Sequence, residues 1–245
     1  MAASLRVTLL QASFKAWIVI MSGIYFIMIF IMLASWLVQW RLRSKFEQYS
    51  KTPLANGLSG EQIAIKMLSD SGISDVRVMS VEGKLTDHYN PADKTVNLSP
   101  DVFYGRNAAA AAVAAHECGH AVQHAKAYSF LQMRSALVPA ISITSKFAPW
   151  VLLAGVLTLQ TFPILLGVGI VLFAGMTLFS FVTLPVEFDA SRRALAWMSD
   201  RAIVNNQEHE QSKDALWWAA MTYVVAALGS LATLFYYISI FNSRR

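Results

Sequence analysis

Cysteine is nearly absent from this chain, because Cys118 is the only one in 245 residues. A single cysteine excludes an internal disulfide framework, and we expect Cys118 to be a small buried hydrophobic residue. Charge is also scarce, since charged residues make up 14% of the chain and hydrophobic residues 56%. This balance is far from that of an ordinary soluble domain and favours integration into a membrane.

Blocks of like charge and nucleic-acid motifs are missing as well. The net charge of +5 comes from lysines and arginines that are scattered and alternate with acids. Such a distribution is typical of basic side chains at a membrane face and not of a nucleic-acid surface. We therefore expect a lipid bilayer as a partner and no nucleic acid.

The chain contains several long runs without a charged residue. Residues 16–40 contain no charge over 25 residues, which as a helix crosses a hydrocarbon core about 30 Å thick. The length of this run and its basic far end, RLRSK, distinguish it from a cleavable signal peptide. Residues 147–186 are uncharged over 40 residues. Pro163 interrupts them, which predicts a hairpin of two spans.

A fourth span is predicted over residues 215–242, which carry tryptophan near one end and tyrosine near the other. With four spans, more of the basic residues close to the span ends fall on the side of the polar segments. This asymmetry predicts that the polar segments are cytoplasmic. The basic residues on that side are Arg41, Arg43, Lys45, Lys146, Arg192 and Arg193, against Arg6, Lys15, Arg244 and Arg245 on the other.

The polar middle of the chain is long enough for a small domain. Ser59 and Gln62 form a capping-box pattern ahead of a helix predicted over residues 60–71, with Gly72 as its stop. The segments VRVMSV, KLTDHY and KTVNLS predict two or three strands of a β-meander. An alanine-rich helix is predicted over residues 108–126.

The alanine-rich helix carries the sequence His116-Glu117-Cys118-Gly119-His120. Histidines four residues apart lie on one helical face and can reach the same ion, while the glutamate between them can act as a base. This is the H-E-x-x-H pattern of zinc peptidases. The alternative, two core histidines and a carboxylate packed among alanines, is costly without a compensating charge.

A catalytic zinc site generally needs a third protein ligand. His124 continues the same helical face but lies a full turn, about 5–6 Å, beyond His120, so a role beside the site or facing substrate fits it better. Glu187, in LPVEFDASRRA, is the stronger candidate. Its spacing alone also allows an interfacial charge.

Four segments together resemble the YugP-type membrane zinc metallopeptidases of bacteria. They run in order from about residue 33 and read LTDHYNPADKTVNLS, AAHECGHAVQHA, MRSALVP and TLPVEFDASRRAL. This family is classed with the gluzincins, so the resemblance implies His116, His120 and Glu187 as zinc ligands and Glu117 as the catalytic base. It also implies one Zn²⁺ per chain and a bacterial plasma membrane.

The chain departs from many gluzincins at one position. Four residues after the ligand glutamate they carry an aspartate, where this chain has Ser191, and the nearby acid is Asp189. Both are candidates for orienting a ligand histidine. His88 and Tyr89 are candidates for stabilising the oxyanion, because the strand that carries them leads towards the active-site helix.

These observations predict a mainly α, integral membrane protein with about four transmembrane helices and a small α+β zincin-like domain. The expected function is a membrane-anchored zinc endopeptidase acting on polypeptides, membrane proteins among them. Two alternatives stay open: a site-two-type intramembrane protease, and a non-catalytic zinc-binding membrane scaffold. The expected segments are a tail (1–15), a first span (16–40), a polar zincin-like region (41–146), a hairpin (147–186), a third-ligand helix and loop (187–214) and a fourth span (215–242).

Overall fold

The computed structural model describes the backbone of residues 2–243 and the side chains from Tyr25 to Ser243. Its helices are α1 (Ala2–Tyr49), α2 (Gly60–Asp70), α3 (Pro100–Phe103), α4 (Ala108–Ala125), α5 (Ser129–Leu157), α6 (Ile164–Asp200) and α7 (Asn206–Asn242). Its strands are β1 (Arg77–Ser80), β2 (His88–Asn90) and β3 (Thr95–Leu98). The side chains of the predicted tail (1–15) and of the start of the first span lie outside the described residues.

Within the part of the chain that the structure describes, four helices are long and apolar enough to cross a membrane, namely Tyr25–Tyr49 within α1 and the whole of α5, α6 and α7. The prediction of a mainly α membrane protein with four spans and a small β part is therefore confirmed. The alanine-rich helix α4 is not among these four.

Two helix boundaries differ from the predicted segments. Helix α5 begins at Ser129, so Lys146 lies inside it and not at its start. Helix α6 continues through Pro185 to Asp200, so Glu187 stands on the same helix as the preceding uncharged run. A proline inside a helix removes one backbone hydrogen bond and usually kinks it. Here the helix does not end.

Helix α2 begins as its sequence predicts. The Ser59 hydroxyl accepts from the Gln62 backbone N–H at 3.3 Å, and the Gln62 side chain accepts from the Ser59 N–H at 2.9 Å. This reciprocal pair satisfies two of the free N–H groups at the helix start. Gly72 follows the helix with φ 71°, a left-handed conformation that glycine adopts without steric cost.

The three strands form one sheet, but the predicted meander is wrong. The order is β1-β3-β2, with β1 parallel to β3 and β2 antiparallel to it. Strand β3 is buried along its whole length, whereas β1 and β2 are largely exposed or half-buried. The most buried strand, β3, is the central one, where both of its edges are paired, and β1 and β2 are edge strands.

The described chain divides into two compact units, each with its own apolar cluster. One comprises residues 1–36, 140–178 and 225–245, and its cluster includes Leu152, Leu166, Tyr236 and Ile240. The other comprises residues 37–139 and 179–224 and contains the sheet, α2 and α4. Its core is formed by α2, β3 and the alanines of α4, most of which are fully buried. Small side chains let α2 and α4 approach closely and hold the motif helix rigidly.

Candidate metal centre

Helix α4 presents the two motif histidines one above the other. Its N-terminus is capped by the Asn107 side chain, which accepts from the Ala110 N–H at 2.9 Å. Four residues make about one helical turn, so the imidazoles of His116 and His120 stack on one face with ring centroids 4.8 Å apart. His120 and Glu117 are both 8% exposed. The His120 imidazole and the Glu117 carboxylate are thus held away from water, while His116 is half-buried.

Glu187 brings a third ligand atom to the histidines from α6. Its Oε2 lies 3.4 Å from His116 Nε2 and 3.6 Å from His120 Nε2. These separations exceed an ordinary hydrogen bond. They match the edge of a tetrahedron around zinc, which is about 3.3–3.4 Å for bonds of about 2.0–2.1 Å. The geometry and the nitrogen and oxygen donors therefore fit a zinc ion.

Gly119 makes this meeting of α4 and α6 sterically feasible. A Cβ built at Gly119 would lie 2.5 Å from the backbone oxygen of Ala190 and 3.1 Å from its Cα. Real side-chain carbons do not approach a backbone so closely, so any other residue would push the helices apart. Glycine inside the motif thus sets the distance at which Glu187 reaches the histidines.

Each motif histidine uses its other ring nitrogen to bind a neutral side chain. His116 Nδ1 lies 3.1 Å from Ser191 Oγ, and His120 Nδ1 lies 3.1 Å from Gln123 Oε1. The Gln123 amide donates to the Val186 carbonyl at 2.7 Å and to Asp189 at 3.0 Å. Its oxygen must therefore accept, so His120 Nδ1 donates and the lone pair of Nε2 faces Glu187.

Asp189 connects this network to two basic side chains. It forms ion pairs with Arg192 and Arg193, one turn further along α6. Both candidates from the sequence are thus connected to a motif histidine. Ser191 contacts His116 directly, and Asp189 is connected to His120 through Gln123.

The charges around His120 oppose each other. Burial lowers the pKa of His120, but the neighbouring carboxylates of Glu187 and Glu117 raise it by more, so its pKa lies above the ordinary value. The local field therefore favours a positive charge where the three ligand atoms converge. That is the field a bound cation requires.

Strand β2 orients the motif glutamate. The backbone N–H of Tyr89 donates to Glu117 Oε2 at 3.0 Å. The Tyr89 hydroxyl lies 2.8 Å from His124 Nδ1, so His124, four residues after the motif, is held by the same strand. Burial and the charge of Asp75 raise the pKa of Tyr89, which keeps its hydroxyl protonated.

A cavity of about 420 Å³ opens in front of these groups. Its walls come from α4, β2, α5, α6 and α7, all within the second compact unit. Of the sequence-predicted site residues, it brings together His88, Tyr89, His116, Glu117, His120, His124 and Glu187. Asp189 and Ser191 do not line it and stand behind the histidines.

Sequence reasoning missed four polar residues of the cavity, namely Asp87, Arg134, Ser135 and Tyr223. Arg134 on α5 places Nη1 3.6 Å from Glu187 Oε1, and Tyr223 on α7 also lines the cavity. Arg134 lies within MRSALVP, one of the segments that carry the resemblance, but Tyr223 has no local signal. Gln123 could have been found, because it lies three residues after His120 on the same helical face.

The family comparison agrees with this geometry. Residues 24–242 match the family described as "Putative neutral zinc metallopeptidase", and the chain belongs to this family of zinc metallopeptidases. A relative from Bacillus subtilis (strain 168), described as "Putative membrane protease YugP", is 40% identical over 211 residues, which are 86% of this chain and 93% of the relative. The expected YugP-type membership is confirmed. No solved structure matches the chain significantly.

Replacing Gly119 should disrupt the metal centre. In Gly119→Ala the new methyl group meets the Ala190 carbonyl, so we expect the helices to separate, zinc content to fall and the melting temperature in detergent to drop. Gly175→Ala is the matched control, because the nearest atom to its added carbon is 4.0 Å away. It should behave like wild type, and retention of zinc by Gly119→Ala would contradict the packing argument.

Removing the partner of His116 should weaken metal binding without unfolding the protein. For Ser191→Ala we expect a loss of about 10–100-fold in zinc affinity, the usual effect of deleting a side chain that orients a ligand. The affinity is measured by competition with a chromogenic chelator. Ser135→Ala, in the cavity wall on α5, serves as the control and should bind zinc as wild type does.

Proposed function

We propose that the protein is a membrane-anchored zinc endopeptidase that binds one Zn²⁺ through His116, His120 and Glu187. The observation that carries the proposal is the convergence of three ligand atoms, all within 4.8 Å of one another. The described residues offer three such ligands at this point, which leaves a fourth coordination position for a non-protein ligand. Three protein ligands and an open position are typical of catalytic zinc sites.

Glu117 is proposed as the general base and acid. Bound zinc would supply Lewis acidity to the peptide carbonyl and to the attacking water. Glu117 borders the cavity beside the ligands and takes one proton from the water as its oxygen bonds to the carbonyl carbon. It returns that proton to the nitrogen as the C–N bond breaks, so one water is consumed for each peptide bond.

The neighbouring residues are proposed to orient these groups. Ser191 and the Gln123–Asp189 pair fix the ring orientation of the two histidines, and the N–H of Tyr89 aligns Glu117. His124 and Tyr89 hold each other at the edge of the cavity, and His88 lines the wall beside them.

The edge strand β2 is proposed to bind the substrate. It lines the cavity and pairs with β3 along one side, so its other side is directed to the cavity. An extended polypeptide that adds to this edge would be held mainly by main-chain hydrogen bonds, which tolerate many side chains.

Two alternatives fit the geometry less well. In a site-two-type intramembrane protease the motif helix would cross the bilayer, but α4 is not among the candidate spans and packs against α2 and the sheet. A zinc scaffold would close the metal with a fourth protein ligand, whereas the described part of the chain supplies three at this centre.

The proposed location is the bacterial plasma membrane with the active site on the cytoplasmic side. The support is the bias of basic residues at the span ends. Membrane-tethered polypeptides are the proposed substrates, because residues of three candidate membrane helices, α5, α6 and α7, form part of the cavity wall.

Catalysis is tested with Glu117→Gln, which keeps the shape of the side chain and removes its basicity. We expect zinc content equal to wild type and cleavage of casein or of a membrane-tethered unfolded polypeptide slowed about 10²–10⁴-fold. Proteolysis is followed by gel and mass spectrometry, with metal content measured in the same samples. If wild type and variant both hold zinc and neither cuts, the scaffold becomes the better explanation.

The side of the membrane is tested with a single engineered cysteine. Burial raises the pKa of the Cys118 thiol and the residue is fully buried, so it should not react. Ser80→Cys, on the exposed edge of β1, should be modified by a membrane-impermeant maleimide only after cells are permeabilised. Labelling of intact cells would place the site outside.

A further inference from the structure

Hydrolysis of a peptide bond requires a donor for the carbonyl oxygen. Negative charge develops on this oxygen as the carbonyl carbon becomes tetrahedral, and a positioned hydrogen-bond donor is worth about 10²–10³-fold in rate. Apart from the motif histidines, the donors that line the cavity are His88, Tyr89, His124, Arg134, Ser135 and Tyr223. The question is which of them faces the position that the substrate carbonyl has to occupy beside the metal ligands.

Three of these donors are engaged with one another or with backbone. His88 donates from Nδ1 to the Thr86 carbonyl at 2.7 Å, and its Nε2 lies 3.2 Å from the Asn97 amide nitrogen. The Tyr89 hydroxyl and His124 Nδ1 are partners at 2.8 Å. The two oxyanion candidates from the sequence are thus committed to holding β2 in place.

Tyr223 differs from these three donors, because its hydroxyl is directed to the metal ligands and not to β2. It lines the cavity from α7, is 38% exposed, and its hydroxyl lies within the electrostatic reach of the Glu187 carboxylate. The charges of Glu117 and Arg134 also act on it. The hydroxyl therefore lies among the ligand glutamate, the base and the cavity arginine, where a substrate carbonyl facing the metal centre has to enter.

The helix that carries Tyr223 is anchored nearby. Asp214, nine residues earlier on α7, accepts from the Tyr49 hydroxyl at 2.5 Å and pairs with Lys45 at 2.9 Å. These contacts fasten α7 to α1 about 13 Å from Tyr223 at 1.5 Å of rise per residue. A donor on an anchored helix needs little reorganisation during reaction.

We propose that Tyr223 is a catalytic residue that donates a hydrogen bond to the substrate carbonyl oxygen as the tetrahedral intermediate forms. The inference rests on the proposed peptidase function. Tyr223 leaves Glu187 for the substrate, while Arg134 keeps Glu187 Oε1 in place. No proton is transferred, so the hydroxyl returns unchanged at the end of each turnover.

The test compares Tyr223→Phe with wild type on a fluorogenic peptide taken from a bond that wild type cuts in casein. We expect kcat to fall about 10²–10³-fold, with KM within about twofold and zinc content unchanged. Tyr104→Phe, at a tyrosine that is 67% exposed and outside the cavity lining, is the matched control.

Binding measurements separate the proposed role from a structural one. A phosphinic peptide, which mimics the tetrahedral intermediate, should bind Tyr223→Phe at least tenfold more weakly than wild type. The unreacted peptide should bind Glu117→Gln and the Glu117→Gln/Tyr223→Phe double variant equally well.

Each contrary outcome has a distinct meaning. Loss of zinc in Tyr223→Phe would overturn the proposal in favour of a role in holding Glu187. Unchanged kcat and phosphinic affinity would overturn it while leaving the peptidase function standing. If wild type neither cuts casein nor binds the phosphinic peptide, the proposed function fails and the proposal fails with it.

Discussion

The close contact between α4 and α6 at Gly119 is the constraint on which the rest of the site depends. It lets Glu187, 67 residues beyond His120 in the chain, approach both histidines at the spacing of a metal tetrahedron. The alanines of α4 provide the matching approach to α2 on the other side. Helix α4 is therefore fixed between two neighbours by small residues, and its polar face has little freedom to tilt.

Around this contact, each buried polar side chain has a hydrogen-bond or ion-pair partner, and these partners form a chain that leads outwards from the metal ligands. Ser191 is hydrogen-bonded to His116, and Gln123 is hydrogen-bonded to His120. Asp189 in turn accepts from Gln123 and forms ion pairs with two arginines, Arg192 and Arg193. A buried polar group without a partner is costly. The chain of partners lets a charged site be built in an otherwise apolar protein without leaving such groups behind the ligands.

Much of this arrangement follows from local sequence. Uncharged runs predict four spans, the Ser59 and Gln62 pattern predicts the start of α2, and the spacing of His116 and His120 places them on one face. These features depend on residues only a few positions apart. The order of the strands, in contrast, does not depend on residues a few positions apart. Strand β3 is central because it is the strand that the rest of the fold buries. Tyr223 and Arg134 likewise come to the cavity on helices far apart in the chain, so their spacing in sequence carries no signal.

The charges that line the cavity have a consequence for the fold as a whole. Three carboxylates border it, and Arg134 is the only lysine or arginine among its described lining residues. Glu117 and Glu187 are both buried, and their partners are the Tyr89 N–H for Glu117 and the motif histidines and Arg134 for Glu187. A bound cation would add a further opposite charge in this medium of low polarity. If the centre binds zinc as proposed, the ion would be a counterion of the folded state as well as a reagent, and the free energy of binding it would add to the stability of the protein. The amount of folded protein in a cell would thereby be linked to the supply of the metal.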